Sequence, residues 1–307
     1  MTGGRATPSG RRPARHSDDL GSAPGTAAST PALDRYAVIG NPVAHSKSPL
    51  IHDTFARATG QRLRYELLAA TIDGFDATVR AFAATGGLGL NVTIPFKLQA
   101  FTLAREHSAR ARSAFACNTL TWRGDHWFGD NTDGTGLVRD LTNNMSEIIS
   151  GRDVLVLGAG GAARGIVGAL LAERPQRLTI ANRTHSKAVA LAAQFERDGP
   201  IAAHAPDSLA GRAFDLVINA TSLGLGTSIP AGLWPRGLFA AQALAYDLVY
   251  ADRPTPFLRW ARTEGAARCQ DGLGMLIEQA AESFFLWRRV RPDTAPVFRL
   301  LRAASGG

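Results

Sequence analysis

Two kinds of apolar spacing alternate along most of the chain, and they predict alternating strands and helices. Short apolar runs, the pattern of buried strands, occur at 36–39, 64–68, 88–92, 154–157, 178–181, 201–204, 214–219 and 244–249. Apolar residues three or four positions apart predict helices that begin near positions 48, 73, 97, 134, 161, 186, 255 and 273. We expect Ser48 to be the N-cap of the first helix and Pro49 its first residue. Two further segments, 117–122 and 126–129, flank an Arg-Gly-Asp turn and predict a hairpin, so the whole pattern is typical of an α/β fold.

The stretch that follows the run at 154–157 fits the G-x-G-x-x-G/A pattern of dinucleotide-binding folds. Gly158 permits a tight turn, Gly160 lets a pyrophosphate approach the backbone, and Ala163 lets the helix pack close to the strand. Helical spacing from Ile166 onward directs the free N–H groups of the helix N-terminus at the phosphates. A strand before the glycines and a helix after them make this fingerprint more specific than the glycines alone.

The next strand indicates which dinucleotide is bound. NAD sites usually carry an acidic residue at its end, whereas this strand is followed by Asn182, Arg183 and Thr184. A guanidinium binds a 2′-phosphate with paired hydrogen bonds, so Arg183 favours NADP. The alternative is a solvated Arg183, with Thr184 only capping a helix over 186–197.

Composition limits the other classes of function. The chain has 307 residues, 45% of them hydrophobic and 20% charged, which suits two domains of a soluble protein. Residues 1–33 have almost no large apolar side chains and predict a disordered tail, although its arginines could imitate a transit peptide. The net charge of +8 comes from scattered arginines without interleaved aromatics, so we expect no nucleic-acid partner. No apolar run predicts a membrane span, no spacing predicts a metal site, and two unpaired cysteines suggest a cytoplasmic protein.

Five polar clusters fall at predicted strand ends and loops, where open α/β sheets bind ligands. They are 45–48, 91–97, 118–119, 130–133 and 271–279. Hydroxyls and amides suit a polyhydroxy acid, and a Lys with an Asp can manage a proton. Each cluster alone has a structural alternative, such as a helix cap for Ser48 or Asp133 and a solvent-facing position for Lys97 or Gln279.

These clusters carry a family resemblance that covers the chain after its tail. It rests on the motifs NPVAHSKSP (41–49), NVTIPFK (91–97), GDNTDG (129–134), GAGGA (158–162), NRT (182–184), NATS (219–222) and DGLG (271–274). The chain resembles shikimate dehydrogenases, which reduce 3-dehydroshikimate to shikimate with NADPH on the route to aromatic amino acids. The resemblance implies an N-terminal α/β substrate domain and a Rossmann-type doubly wound NADP-binding domain. We expect the first over 34–133, completed by 272–307, and the second over 134–271.

The resemblance also assigns roles to residues, with Lys97 and Asp133 as the catalytic pair. The substrate carboxylate would be held by Ser46 and Ser48. The ring hydroxyls would be contacted by Thr93, Lys97, Asn118, Asp133 and Gln279. The cofactor would be held by Gly158, Ala159, Gly160, Gly161, Ala162, Asn182, Arg183, Thr184 and Lys187. The nicotinamide pocket and cleft would be lined by Thr221, Leu248, Tyr250 and Gly272.

Two departures and two alternatives accompany this assignment. Cys117 stands where the family often has Val, and Lys187 stands where it often has an Arg near the 2′-phosphate. A quinate dehydrogenase would often lack one serine of the Ser-x-Ser pair or carry an acid at the 2′-phosphate position. A non-catalytic NADP sensor would have lost Lys97 or Asp133, and the chain retains both. We expect the protein to be a monomer or a homodimer.

Overall fold

A computed structural model describes residues 33–221, 228–230 and 232–305. The predicted disordered tail therefore lies outside the described residues except for Leu33, as does the Ser that ends the NATS motif at position 222. The strands are β1 (Asp34–Gly40), β2 (Leu63–Ala69), β3 (Gly87–Val92), β4 (Glu106–His107), β5 (Thr119–Trp122), β6 (Trp127–Asp130), β7 (Asp153–Leu157), β8 (Arg177–Ala181), β9 (Ile201–His204), β10 (Phe214–Asn219), β11 (Phe239–Asp247) and β12 (Arg268–Gln270). The α-helices are α1 (Ser48–Ala58), α2 (Phe75–Ala84), α3 (Lys97–Leu103), α4 (Ala109–Ala114), α5 (Asp133–Arg139), α6 (Gly161–Ala172), α7 (His185–Phe195), α8 (Pro256–Thr263), α9 (Leu273–Arg288) and α10 (Ala295–Ser305).

The first sheet has six strands in the order β2-β1-β3-β5-β6-β4 and mixes parallel and antiparallel pairs. Strands β1, β2 and β3 are parallel, and the β5–β6 hairpin joins them antiparallel to β3. Buried aromatic side chains from α2 and from the start of α3, among them Phe75, Phe82 and Phe96, pack on one face. Lys97 and the Asn118 peptide thus lie where β3 and β5 meet, because β3 ends at Val92 and β5 begins at Thr119.

The second sheet is entirely parallel, in the order β12-β11-β10-β7-β8-β9. This is the doubly wound order, in which consecutive connections reverse direction between β7 and β10. Strand β7 is buried on both faces, with Val154 and Val156 in one core and Leu155 and Leu157 in the other. Ligands of such sheets bind at the carboxyl ends of the two central strands, after Leu157 and Asn219.

Helix α9 lies late in the chain but completes the core that covers the first sheet. Ile277 and Phe284 of α9 pack with Ile51 and Phe55 of α1, and α10 closes the cluster with Val297. Most of α9 is buried, including polar side chains such as Gln279 and Glu282 as well as the apolar ones. The C-terminal segment is therefore integral to the N-terminal α/β unit.

Helix α5 connects the two sheets and packs closely on both α6 and α9. A Cβ atom at Gly134 would lie 2.6 Å from Ala169 Cβ, and one at Gly136 would lie 2.6 Å from Gln279 Cβ. Glycines at these positions let three helix backbones approach each other. The first residue of α5 is Asp133, so this tight packing fixes the position of a proposed catalytic group.

Several predicted boundaries are wrong. Ser48 is the first helical residue rather than the N-cap, because the Ser46 hydroxyl accepts the Ser48 N–H at 3.2 Å and Lys47 takes the cap position. The helix predicted from 134 to 144 changes to a π-helix over Asp140–Asn144. Strand β11 starts five residues before the predicted 244. The apolar pattern missed β4, α4, β12 and α10, which are short or rich in arginine. Within the described residues, no helix is both long and apolar enough to span a membrane.

Candidate active site

Lys97 and Asp133 form a close, largely buried ion pair between the two sheets. The Lys97 ammonium Nζ lies 2.5 Å from Asp133 Oδ2, and the two side chains are 14% and 6% exposed. Lys97 opens α3 and Asp133 opens α5, so each side chain is held at the first residue of a helix. The structure thus brings together the pair that the sequence predicted to be catalytic, and the solvated alternative for Lys97 does not hold.

Asn118 joins the ion pair to the long helix α9. Its Nδ2 donates to Asp133 Oδ1 at 2.8 Å and to Gln279 Oε1 at 3.2 Å. Its Oδ1 accepts the Thr132 N–H at 2.8 Å. Gln279 is buried, so its solvent-facing alternative is also wrong. Two side-chain amides and one carboxylate from three chain segments are therefore joined by hydrogen bonds: those of Asn118, Gln279 and Asp133.

A second set of polar side chains is hydrogen-bonded to this cluster, and of its members the sequence interpretation missed Ser283 and Tyr65. The Ser283 hydroxyl lies 2.8 Å from Thr119 Oγ1 and 3.1 Å from Thr132 Oγ1, and it receives Asn91 Nδ2 at 2.9 Å. The Tyr65 hydroxyl donates to Asn91 Oδ1 at 2.7 Å. The sequence contains one signal that could have indicated Ser283. It is four residues after Gln279, so the two side chains share a helix face.

The other predicted substrate-binding residues, Ser46, Ser48, Thr93 and Tyr250, come from three segments of the chain. Ser46 Oγ donates to Ser48 Oγ at 3.0 Å, so the two hydroxyls point to one spot at the start of α1. Thr93 follows β3 and is half-buried. Burial raises the pKa of the Tyr250 hydroxyl, and a hydrogen bond with the backbone of Lys47 only partly opposes that shift. Tyr250 therefore approaches the Ser-Lys-Ser segment from the second sheet.

The glycine loop after β7 combines a turn that only glycine can adopt with open space at the start of a helix. Gly158 has φ +113°, and a Cβ there would lie 2.9 Å from the Ala220 carbonyl oxygen, so only glycine fits. Around Gly160 a Cβ would meet nothing within 4 Å, and the residue is exposed. Gly160 is the N-cap of α6, which begins at Gly161 and continues through Ala162. Open space in front of a helix N-terminus fits a bound phosphate group.

The phosphate-binding loop and the ion pair are neighbours. A Cβ built on Gly161 would lie 3.4 Å from Lys97 Cβ, and one on Gly165 would lie 2.9 Å from Asp133 Oδ2. Ala159, which precedes Gly160, is buried in the core of the second sheet. The first turns of α6 therefore pass close to both residues of the pair.

Two exposed cations follow β8. Neither Arg183 nor Lys187 has a side-chain hydrogen bond or ion pair with any residue that the structure describes. Asn182 Nδ2 donates to the Thr184 carbonyl at 2.9 Å, which shapes the turn, and Thr184 is the N-cap of α7 without a side-chain capping bond. Exposed cations at this position fit a 2′-phosphate.

Thr221, Leu248 and Gly272 line the carboxyl ends of β10 and β11 and the start of α9. The Thr221 hydroxyl donates to Asn219 Oδ1 at 2.6 Å, and the Leu248 N–H donates to the Asn219 carbonyl at 3.0 Å. A Cβ at Gly272 would collide with the Leu248 carbonyl oxygen, so this contact requires glycine. The three residues lie at the edge of the sheet where the nucleotide fold binds its ligand.

Other chemistry is not supported by the described residues. No group of His, Cys, Asp or Glu within them could hold a metal ion. Cys117 is buried, and burial raises the pKa of its thiol to about 12, so it behaves as a small hydrophobic residue. The substitution of Cys117 for the family's Val is therefore accommodated by the core.

The fold and the site together define a dinucleotide-dependent oxidoreductase that acts on a small polar substrate. Three family models match the chain: "Shikimate dehydrogenase substrate binding domain" at residues 38–120, "Shikimate / quinate 5-dehydrogenase" at 140–224, and "Shikimate 5'-dehydrogenase C-terminal domain" at 272–302. The chain belongs to the shikimate dehydrogenase family, which confirms the resemblance seen in its motifs.

Individual relatives agree with this assignment. The "Shikimate dehydrogenase (NADP(+))" of Dechloromonas aromatica is 55% identical over 271 residues, which are 88% of this chain and 98% of that protein. An Ael1 enzyme from Pseudomonas putida has a TM-score of 0.80 at 47% identity, covering 87% of this chain and 98% of that one. The shikimate 5-dehydrogenase of Thermus thermophilus, solved with NADP(H) and shikimate, has a TM-score of 0.77 at 32% identity, covering 89% and 100%.

Proposed function

We propose that this protein catalyses the reversible, NADP-dependent reduction of 3-dehydroshikimate to shikimate, a step of chorismate and aromatic amino acid biosynthesis. The observation that carries the proposal is the buried Lys97–Asp133 pair, which directly adjoins the start of α6. A lysine ammonium beside the glycine loop of a nucleotide fold supports its role as the proton donor.

The residues around the loop fit NADP and would hold it in three places. Backbone groups from Gly158 to Ala162 would receive the pyrophosphate. Arg183 and Lys187, with Asn182 and Thr184 shaping the turn, would bind the 2′-phosphate. Thr221, Leu248 and Gly272 would line the nicotinamide pocket. When bound, NADPH supplies the hydride that reduces the ketone.

Lys97 and Asp133 handle the proton. As the carbonyl carbon is reduced, its oxygen gains negative charge, and the Lys97 ammonium stabilises that charge and donates a proton to the oxygen. Asp133 holds the ammonium in place with its Oδ2 and accepts a hydrogen bond from the neighbouring substrate hydroxyl.

The remaining cluster recognises the substrate. The hydroxyls of Ser46 and Ser48 bind the substrate carboxylate, since both point to one spot at the start of α1. Thr93, Asn118 and Gln279 bind ring hydroxyls, and Tyr250 closes the cleft from the second sheet. A ring of neutral donors and acceptors around one ion pair is suited to a polyhydroxylated acid.

The test is the absorbance of NADPH formed from NADP with shikimate, and separately with quinate. We expect turnover with shikimate and at most slow turnover with quinate. Lys97→Ala should lower kcat by about two to four orders of magnitude, while KM changes much less. Gln99→Ala is the matched control, because Gln99 lies two residues further along α3 and is exposed. Preference for quinate, or unchanged turnover in Lys97→Ala, would overturn the proposal.

The proposal also covers the ligands, the location and the oligomeric state of the protein. Shikimate, 3-dehydroshikimate and NADP are its small-molecule partners, and it works in the cytoplasm as a monomer or a homodimer. Size-exclusion chromatography with light scattering distinguishes these two assemblies.

A further inference from the structure

Arg110 contacts the chain on both sides of Asp133 and also contacts the helix that carries Gln279. Its Nε and Nη2 donate to the Asp130 carboxylate at 2.7 and 3.1 Å, and its Nη1 donates to Thr135 Oγ1 at 2.9 Å. The same Nη1 lies 3.2 Å from Glu282 Oε1 on α9. One planar guanidinium therefore joins three chain segments around the site, although Arg110 is not one of the proposed catalytic or substrate-binding residues.

The Asp130 carboxylate is the partner of Arg110 that precedes Asp133 in the chain. Its Oδ1 accepts from the Ser108 hydroxyl at 2.5 Å, from Arg110 and from the Asn131 N–H at 2.7 Å. Asn131 Oδ1 in turn accepts the Asp133 N–H at 3.1 Å. The geometry of the turn that ends in Asp133 is therefore set by hydrogen bonds that converge on Asp130.

Glu282 is the anchor on α9. It is buried and also binds Arg139 at 2.8 Å and Arg291 at 2.7 Å through Oε2. Burial alone would raise the pKa of Glu282, but its arginine partners outweigh burial and lower that pKa to about 2. Glu282 is thus a charged, fixed point, and it lies three residues after Gln279 and next to Ser283.

We infer that Arg110 is a positioning residue that sets Asp133 against Lys97 and Gln279 by fixing Asp130, Thr135 and Glu282 together. A two-pronged guanidinium can hold these three groups in one geometry, whereas an ammonium is a point charge with no fixed fork. Because a misplacement of about 1 Å at a reacting centre can reduce a rate 100-fold, the contacts of Arg110 affect turnover without touching substrate. This inference rests on the proposed function.

The experiment compares Arg110→Gln and Arg110→Lys with two arginine controls. Arg291→Gln also removes a guanidinium from Glu282 but leaves the contacts of Arg110 with Asp130 and Thr135 intact. Arg112→Gln alters the same short helix, and its partner is the His107 carbonyl. Wild type and each variant are assayed for kcat and KM with shikimate and for NADPH affinity, together with melting temperature.

We expect Arg110→Gln to lower kcat about tenfold or more, with KM for shikimate changed less than about threefold and NADPH affinity unchanged. Arg110→Lys should recover only part of the loss, and both controls should keep kcat within about twofold of wild type. Guanidinium ion, at concentrations too low to unfold the protein, should restore turnover to Arg110→Ala.

Asp130→Asn supplies an independent check if Arg110→Gln is poorly stable. Combined with Arg110→Gln it should lower kcat by less than the product of the two separate effects, because both changes remove the contact between Arg110 and Asp130. Equal effects of Arg110→Gln and Arg291→Gln on kcat, or full activity of Arg110→Gln, would overturn the inference. Inactive wild type would instead contradict the proposed function itself.

Discussion

Gly165 offers a sharp test of how closely α6 approaches the Asp133 carboxylate, the proposed catalytic group. A Cβ at this position would lie 2.9 Å from Asp133 Oδ2 and 2.9 Å from Asn131 Oδ1, whereas ordinary contacts of a Cβ start at 3.4 Å. Gly165→Ala must therefore displace α6 or the Asp133 carboxylate by about half an ångström. Asp133 Oδ2 is the atom that binds the Lys97 ammonium, so the strain falls on the ion pair.

The expected result is a loss of turnover with little loss of stability. Alanine in place of glycine favours a helix by about 0.8–1 kcal/mol, which offsets part of the steric penalty. A displacement of half an ångström should lower kcat about tenfold, since about 1 Å can lower a rate 100-fold. Steady-state kinetics with shikimate and NADP, together with thermal unfolding followed by circular dichroism, measure the two quantities.

Gly168→Ala is the matched control on the same helix. It gains the same helical propensity, but its Cβ would meet Phe195 Cε1 at 3.0 Å in the core of the second sheet, away from the ion pair. We expect its kcat to stay within about twofold of wild type. If Gly165→Ala retains the same kcat as Gly168→Ala, the reasoning that places α6 against Asp133 is refuted.

Two further predictions concern charge. Arg183→Ala should lower kcat/KM for NADP by roughly one to two orders of magnitude and leave kcat/KM for NAD nearly unchanged. Lys187 should retain part of the preference for NADP. An equal loss of kcat/KM for both cofactors would mean a structural role for Arg183. The pKa of Glu282 is lowered from 4.5 to about 2, so its carboxylate contributes stability that is complete above pH 4.5 and is lost as the pH falls toward 2. That contribution is on the order of 3 kcal/mol. Urea unfolding of wild type and Glu282→Gln should give stabilities that converge on acidification, and a difference independent of pH would contradict the assigned pKa.

Much of the fold could be predicted because apolar spacing and glycines act locally. A few consecutive residues are enough to predict the buried strand at Val154, the positive φ of Gly158 and the burial of Ala163. The family assignment, and with it the match to relatives named as NADP enzymes, followed from motifs of the same local kind. Arg183 predicted the NADP preference through a position that the nucleotide fold reserves for this choice.

What the sequence did not reveal depends on contacts between distant segments. Arg110 and Glu282 are 172 positions apart, and neither belongs to a motif. Helix α4 has six residues, too few for an apolar period to show. The π-helix at Asp140 coincides with a buried hydrogen bond from the Tyr246 hydroxyl at 2.7 Å, a partner on β11 that no local pattern can indicate. The roles assigned to individual site residues stay predictions.

The position of α9 in the chain has a consequence for the order in which the protein is made. Synthesis at roughly 5–20 residues per second places α9 outside the ribosome on the order of ten to fifty seconds after α1. Until then the faces of Ile51 and Phe55 that pack on Phe284 have no partner. The parallel sheet, whose strands are contiguous in sequence from Asp153 to Gln270, is made in full during that interval. The unit whose synthesis begins first is therefore completed last, and its uncovered apolar surface is the part of the nascent chain that a chaperone would bind.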